Sequence, residues 1–322
     1  MHTLPWMGRQ EGFEYINHLG AVSKSFCFLI SYDKSKIYAS SLEKCSNKLH
    51  FCIDTASSYN STTTAIKKVS VGYLEYLEKF NIVTEHIKAG DTYLLNLTQP
   101  TTIYTTLSLK EIYQYAKAKY RVMVEDMFVS FSPETFIEID NGIISTHPMK
   151  GTIDASLPNA KEIILNNQKE FAEHTMIVDL MRNDLNMVAG GTRVEDFRYI
   201  DKIHAGDKEL LQVSSKITAS LPQNWRSRLG DILDTITPAG SITGTPKRKS
   251  IEIIKSVEGY ERGFYTGIFG ICKENQVIST VLIRYIEQTS RGFVYKSGGG
   301  ITIDSNPKTE YKELIDKIYI PH

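Results

Sequence analysis

The chain has 322 residues, and its 37 Lys plus Arg balance 37 Asp plus Glu, so the formal charge is zero. That balance argues against a chain built to grip nucleic-acid phosphates, which needs a basic excess or stripe. The 41% hydrophobic and 10% aromatic residues exclude disorder. The length fits one large or two ordinary folding units, and no segment approaches the roughly 20 apolar residues of a membrane span. Cys27, Cys45, Cys52 and Cys272 show no CxxC spacing, which argues against a zinc site. The first ten residues lack a basic head followed by an apolar stretch, so the expectation is a soluble, cytoplasmic protein.

Residues 25–32, 37–39 and 49–53 are short apolar, β-branched or aromatic runs between polar turns, and they predict strands. Between 57 and 70 the large apolar residues give way to Ser, Thr and Lys, which predicts an exposed connection. It separates a short N-terminal part, 1–80, from the main region, 81–322. A helix is expected over 73–88, where Tyr73, Leu77, Phe80 and Ile87 recur at helical spacing before Ala89-Gly90. Strands are expected over 91–103 and 127–139, with a helix over 108–120 capped by Ser108 between them. Asn141-Gly142 predicts a tight hairpin turn into 143–147. A helix over 159–186 follows, then a Gly/Pro-rich loop, a helix over 248–257, strands over 265–271, 276–287 and 292–296, and a final helix over 307–318. Hairpin-linked strands with interspersed helices predict an α+β chain with mixed or antiparallel sheets.

Among residues that carry chemistry, two glutamate pairs stand out. Glu170 and Glu173 in KEFAEHTMIVDL, and Glu310 and Glu313 in DSNPKTEYKEL, are spaced i,i+3, so each pair projects from one helix face. Brought together, the four would make an oxygen-only site suited to Mg²⁺; kept apart, each pair is a solvated helix surface. Lys150, in THPMKGT, precedes Gly151, where backbone can approach a ligand closely. An amine there serves as a nucleophile if it is kept neutral; otherwise it is a surface lysine. Glu134, in FSPETF, sits between Phe131 and Phe136, an apolar setting that suits a general acid, or else it is a turn residue after Pro133. The loop 238–246 leads into Lys247 and Arg248, which with free N–H groups suit a carboxylate or phosphate, although the P-loop pattern is absent. Gly298, Gly299 and Gly300 form a second such stretch, reached just after a strand. Arg284 interrupts the apolar run STVLIRYI and either faces solvent or clasps a carboxylate through two hydrogen bonds.

Taken in order, NLTQ, SPETF, PMKGT, EHTMIVDLMRNDL, PAGSITGTPKRKSIEII, RGFYTGIFG, STVLIR and GGGITIDSNPKTEYKE closely resemble the chorismate-utilising enzymes. That family includes anthranilate, aminodeoxychorismate, isochorismate and salicylate synthases, and the match spans residues 82–317. The resemblance implies two stacked, largely antiparallel sheets with helices outside and the active site between them, residues 1–80 being a strand-rich part of the same unit. It implies Mg²⁺ held first by Glu173 and Glu313, with Glu170 and Glu310 in supporting or water-mediated roles. Gly151, Thr152, Tyr265, Arg284, Gly298, Gly299 and Gly300, and also Lys247, become substrate contacts.

Anthranilate synthases carry Ala at the place of Lys150, so the lysine points to the aminodeoxychorismate synthase branch. The implied reaction has the Lys150 amine attack ring C2 of chorismate while the C4 hydroxyl leaves, protonated by Glu134. Ammonia then adds at C4 and expels the lysine, giving 4-amino-4-deoxychorismate for p-aminobenzoate and folate synthesis. No glutaminase signature with a nucleophilic cysteine is visible, which implies a glutamine amidotransferase partner unless free ammonia suffices. The alternatives are anthranilate synthase, isochorismate or salicylate synthase, and a catalytically silent chorismate-binding scaffold. The sequence departs from the family where Gln212 replaces the His of an HLVS segment. It also lacks the LLES-type tryptophan-binding segment, so neither feedback inhibition nor bound tryptophan is expected.

Overall fold

Hairpin-spaced strands give two antiparallel sheets in the computed structural model, which describes residues 4–53, 66–205 and 208–321. The first sheet runs in the order Met149–Asp154, Lys208–Ser220, Ile143–Thr146, Thr135–Asp140, Gln276–Val281, Ile268–Lys273, Ser25–Ile30, Ile37–Ser41, with Gly190–Ala205 also paired to Lys208–Ser220. The second runs Gly244–Thr245, Leu94–Tyr104, Gly292–Ile301, Tyr285–Thr289, Phe128–Ser132, Tyr120–Val124, Leu49–Ile53, with Lys67–Val69 on Leu94–Tyr104.

Alternation along Ser25–Ile30 shows how the layers stack. Phe26, Phe28 and Ile30 join a core with Phe13, Ile16 and Ile232 of the helices Arg9–Val22 and Leu229–Ile236. Cys27 and Leu29 point the other way, into a core shared with Val122, Val124, Phe128 and Tyr285 of the second sheet. A strand buried on both faces reads as an unbroken apolar run, as SFCFLI does. On the far side of the second sheet, Leu95, Leu97 and Ile301 pack against Tyr76, Phe80, Ile253 and Leu314 of three helices, Tyr73–Lys88, Lys247–Val257 and Pro307–Asp316. The layers therefore run helix, sheet, sheet, helix. Each buried Phe or Leu contributes roughly 1.5–3 kcal/mol to holding them.

Several expected elements are corrected. The N-terminal part opens with a helix, Arg9–Val22, in which Gly20 lets the backbone of Arg226 come so close that a β-carbon would meet its carbonyl oxygen. The connection expected over 57–70 lies outside the described residues up to 65, and 67–69 form a short strand. The helix expected over 108–120 keeps its cap, a reciprocal Ser108–Glu111 capping box, but ends at Tyr115; Tyr120–Val124 is a strand because its five residues are all buried between neighbours. The helix expected over 159–186 is two, Ala160–Asn166 and Gln168–Asn186, broken at the extended Asn167, whose side chain accepts the Glu170 N–H and caps the second. The sequence reading assigned nothing to the long hairpin Gly190–Ala205 and Lys208–Ser220 or to the helix Leu229–Ile236.

Two corrections shape the site. The strand expected over 127–139 is two, Phe128–Ser132 in the second sheet and Thr135–Asp140 in the first, so the chain changes sheets at Pro133-Glu134. The strand expected over 276–287 likewise divides into Gln276–Val281 and Tyr285–Thr289, changing sheets at 282–284. The two crossings run side by side: the Phe131 N–H donates to the Arg284 carbonyl at 3.1 Å, and the Val281 N–H to the Glu134 carbonyl at 3.3 Å. An apolar run alone cannot reveal a sheet change, because both halves remain buried strand.

Candidate active site

Glu134 and Arg284 stand at these adjacent crossings, where no strand ladder occupies their side chains. The Ser241 hydroxyl donates to the Glu134 carboxylate at 2.5 Å. Burial raises the Glu134 pKa, opposed by that hydrogen bond and by the positive charges of Arg284, Lys150 and Lys317. The helix-leading loop 238–246 thus meets the first crossing through Ser241. Arg284 holds a left-handed backbone, φ 51°, and its guanidinium lies 5.7 Å from the Tyr319 ring. Its Nε is buried without a hydrogen-bond partner, a donor left for an incoming acceptor. Tyr265, expected on a strand, lies instead in the turn before Ile268–Lys273, where Thr266 takes φ 61°. It is buried, and burial raises its phenol pKa, with Arg284 and Glu134 among the charges that act on it.

Lys150 reaches the same place from the edge of the first sheet. The strand Met149–Asp154 shifts register between Met149 and Thr152, and Gly151 takes φ 84°. Such an irregularity re-aims a side chain out of the ladder. Lys150 Nζ lies 3.3 Å from a carboxylate oxygen of the 7%-exposed Glu173. A β-carbon on Gly300 would stand 3.3 Å from the same Nζ, a tight contact that glycine avoids. Gly298, Gly299 and Gly300 are not in a loop after a strand, as expected, but inside Gly292–Ile301, because they pair with Thr98, Leu97 and Asn96 of the neighbouring strand.

Two helices bring the glutamates against these glycines, and Glu173 also against the amine. A β-carbon on Gly151 would be 3.3 Å from Glu170, and one on Gly299 would be 3.6 Å from Glu310 and 3.8 Å from Glu313. Glu173 pairs with Lys150, and Glu313 pairs with Lys317 at 2.6 Å. The structure therefore gathers Lys150, Gly151, Glu170, Glu173, Gly299, Gly300, Glu310 and Glu313 into one neighbourhood. A cavity of about 330 Å³ with Tyr93, Met176, Thr302 and Ile303 on its walls opens onto Glu173, a size within the range of small-molecule sites.

Lys247 and Thr152 stand apart from both the crossings and that neighbourhood. Lys247 gives one hydrogen bond to Asp184 at 2.6 Å and another to the Ile236 carbonyl at 2.9 Å, so it anchors the loop 238–246 to the helix Gln168–Asn186. Thr152 is exposed on the edge strand, its backbone opposite Gln212.

Two residues passed over in the sequence belong to the site. Lys317, one helical turn after Glu313, also donates to the Gly298 carbonyl at 2.9 Å; burial lowers its pKa, opposed by Glu313. His174, next to Glu173, is fully buried with Nε2 2.6 Å from Ser215 Oγ, while Nδ1 has no partner. Burial, with the charges of Arg198 and Lys150, pushes it down to about 4, so it is neutral at pH 7. The signals were adjacency to Glu173 for one and an i,i+4 relation to Glu313 for the other.

Among the described residues, no three His, Cys, Asp or Glu side chains form a ready-made metal cluster. Mg²⁺ asks for less: one or two carboxylates, its remaining positions taken by water and substrate oxygens. Acidic oxygens on two helices, Glu173 and Glu310 each 7% exposed and two of the four already facing an ammonium group, are a donor set that fits a hard cation.

Residues 13–321 match the family model described as chorismate binding enzyme. An "Uncharacterized PabA-like protein" of Haemophilus influenzae is 44% identical over 97% of both chains. Aminodeoxychorismate synthase component 1 of Escherichia coli is 34% identical over 76% of this chain and 56% of its own length. Among solved structures, a putative 2,3-dihydroxybenzoate-specific isochorismate synthase from Bacillus anthracis superposes with a TM-score of 0.70 at 18% identity, covering 96% of this chain and 86% of that one. Anthranilate synthase component I from Streptococcus pneumoniae gives 0.63 at 22% identity over 80% and 59%. At these identities the structural matches speak to the fold, two antiparallel sheets with flanking helices.

Proposed function

The chain belongs to the family of chorismate binding enzymes, and from that premise we propose that it aminates chorismate to 4-amino-4-deoxychorismate in the cytoplasm. The observation that carries this reading is the placement of the Lys150 amine between Glu173 and Gly300, within the field of a raised-pKa carboxyl at Glu134. An amine delivered by a re-aimed edge strand into a gap kept open by glycine suits a nucleophile, which needs a fixed position and a free approach to its target.

In this reading the Lys150 ammonium first gives up a proton to solvent, the neutral Nζ bonds to ring C2, the C4–O bond breaks, and the hydroxyl leaves as water with the Glu134 proton. Burial keeps that proton on Glu134 to a higher pH than a solvated carboxyl would, which a general acid requires. Ammonia then bonds at C4, the Lys150–C2 bond breaks, and lysine returns to its starting state. Arg284, with a free buried Nε, and Tyr265 hold a substrate carboxylate on one side, and Lys317 faces the site from the other. Glu173 and Glu313 would hold Mg²⁺ with Glu170 and Glu310 beside them, and the ion would neutralise substrate carboxylate charge. Ammonia comes from a glutamine amidotransferase partner or from solution.

The test is incubation of the protein with chorismate, Mg²⁺ and ammonium, with the product identified by chromatography and mass spectrometry. Accumulation of 4-amino-4-deoxychorismate supports the reading. Anthranilate, isochorismate or salicylate as product would overturn the lysine argument, and chorismate binding without turnover, even with an amidotransferase present, would leave a scaffold.

A further inference from the structure

A second group of reactive side chains sits towards the opposite edge of the first sheet from Lys150. Cys27, on the strand Ser25–Ile30, faces the layer between the sheets and is fully buried. Cys45 follows the single-turn helix Leu42–Lys44, in the connection that carries the chain from Ile37–Ser41 in the first sheet to Leu49–Ile53 in the second. It is partly exposed. The two sulfurs are 3.6 Å apart, in thiol–thiol contact, and only about 1.5 Å from bonding distance. The Tyr38 hydroxyl takes the Ser46 N–H at 2.9 Å and directs its own hydrogen to Cys45 Sγ at 4.0 Å.

The asymmetry of the pair matters. The hydrogen-bonding contact with Cys27, with the Tyr38 hydroxyl in support, lowers the Cys45 thiol from its ordinary value. That same bond and burial raise Cys27. Cys45 is partly exposed and Cys27 fully buried, so an oxidant arriving from solvent meets Cys45 first, with a second thiol already touching it.

We propose that Cys27 and Cys45 are a reversible redox pair, in which hydrogen peroxide oxidises Cys45 and Cys27 resolves it as an intramolecular disulfide. The Cys45 thiolate attacks one peroxide oxygen, the O–O bond breaks, and the departing hydroxide takes a proton and leaves as water. Cys45 is then a sulfenic acid. Cys27 gives up its proton and attacks that sulfur, the S–O bond breaks, and a second water leaves. Two thiols and one peroxide thus give one disulfide and two waters, and a dithiol reductant reverses the step. The bond closes an 18-residue separation and ties the sheet-to-sheet connection to a core strand, which constrains the unfolded chain and raises resistance to denaturation. This chemistry is independent of the reaction at Lys150.

The experiment treats the full-length reduced protein with graded hydrogen peroxide, blocks remaining thiols under denaturing conditions, and maps peptides by mass spectrometry without reduction. The expected result is a Cys27–Cys45 cross-linked peptide that dithiothreitol removes, while Cys272, buried against Arg226, stays alkylatable after unfolding. In Cys27→Ala, a small substitution, Cys45 should stop at a sulfenic acid trapped by dimedone. Oxidation of Cys45 in the wild-type protein with Cys27 still a thiol, or a disulfide from Cys45 to Cys52, would overturn the proposal. The wild-type map decides this even if a variant fails to fold.

Discussion

Alanine at each glycine of 298–300 separates backbone packing from chemistry. None of the three has φ in the left-handed region, so space alone decides the outcome. At Gly298 the new β-carbon would lie 2.5 Å from Thr98 Cγ2 and 2.6 Å from the Leu97 carbonyl oxygen, a paired strand that cannot retreat. Overpacking of that kind costs about 1–3 kcal/mol, and the melting temperature should fall by a few degrees. At Gly300 the neighbours are Lys150 Nζ at 3.3 Å and Leu94 methyls at 3.8 and 3.9 Å. The flexible lysine tip yields by a few tenths of an ångström, and the loss of unfolded-state freedom adds about 0.4–1 kcal/mol of stability, so melting should be unchanged or slightly higher. Turnover should fall about tenfold, since an ångström of misplacement at a reacting atom costs about a hundredfold. Thermal melts and steady-state chorismate consumption per folded molecule check both. If Gly300→Ala melts as low as Gly298→Ala while its turnover stays at the wild-type value, the glycine gap is a packing feature and the placement of the amine has been misread.

The other roles give equally direct expectations. Lys150→Ala should abolish amination and the covalent adduct seen by intact-protein mass spectrometry under ammonia-free conditions; full amination by this variant would remove Lys150 as nucleophile. Glu134→Gln should lower turnover by about two orders of magnitude and remove the fall in rate as pH rises. Because the folded protein raises the Glu134 pKa, the ionised carboxylate costs stability above that pKa and nothing below the unfolded value, so the same variant should melt higher at neutral pH and unchanged in acid. Glu173→Gln or Glu313→Gln should raise the Mg²⁺ concentration for half-maximal turnover at least about tenfold, and an unchanged Mg²⁺ titration would refute the ligand assignment. Lys247→Met leaves the buried Asp184 without its partner, which costs about 3–5 kcal/mol, while KM for chorismate per folded molecule stays unchanged if Lys247 is an anchor.

The parts of the molecule legible in the sequence are those written in local pattern. The helices 73–88, 248–257 and 307–318 are found close to where expected, and in the last of them Asn306 caps the helix with Pro307 behind it. The Arg9–Val22 helix was missed because it buries a face punctuated by Gly12 and Gly20 rather than by a clean apolar stripe. Spacing also left the glutamates undecided between a solvated surface and a site. That choice depends on tertiary placement: the irregular edge strand brings Lys150 to Glu173, and the pairing of Gly292–Ile301 with Leu94–Tyr104 sets Gly299 against Glu310 and Glu313.

The paired crossings explain why the chemistry lies where it does. A strand that stays in one sheet spends its backbone on ladders and alternates its side chains between two packed faces. Where two neighbouring strands leave one sheet for the other at the same level, the ladder opens and the crossings bond to each other through Phe131–Arg284 and Val281–Glu134. The side chains at that opening, a carboxyl and a guanidinium, lie near enough for the Arg284 charge to act on Glu134. Their separate partners, Ser241 for Glu134 and the Tyr319 ring for Arg284, keep the two from collapsing into a mutual ion pair that would silence both. If this reasoning holds, Ser241→Ala should lower turnover while raising the Glu134 pKa further, moving the alkaline limb of the rate profile to higher pH, because the hydroxyl's hydrogen bond favours the ionised form. A profile that keeps its midpoint would mean that Ser241 holds the loop and not the acid.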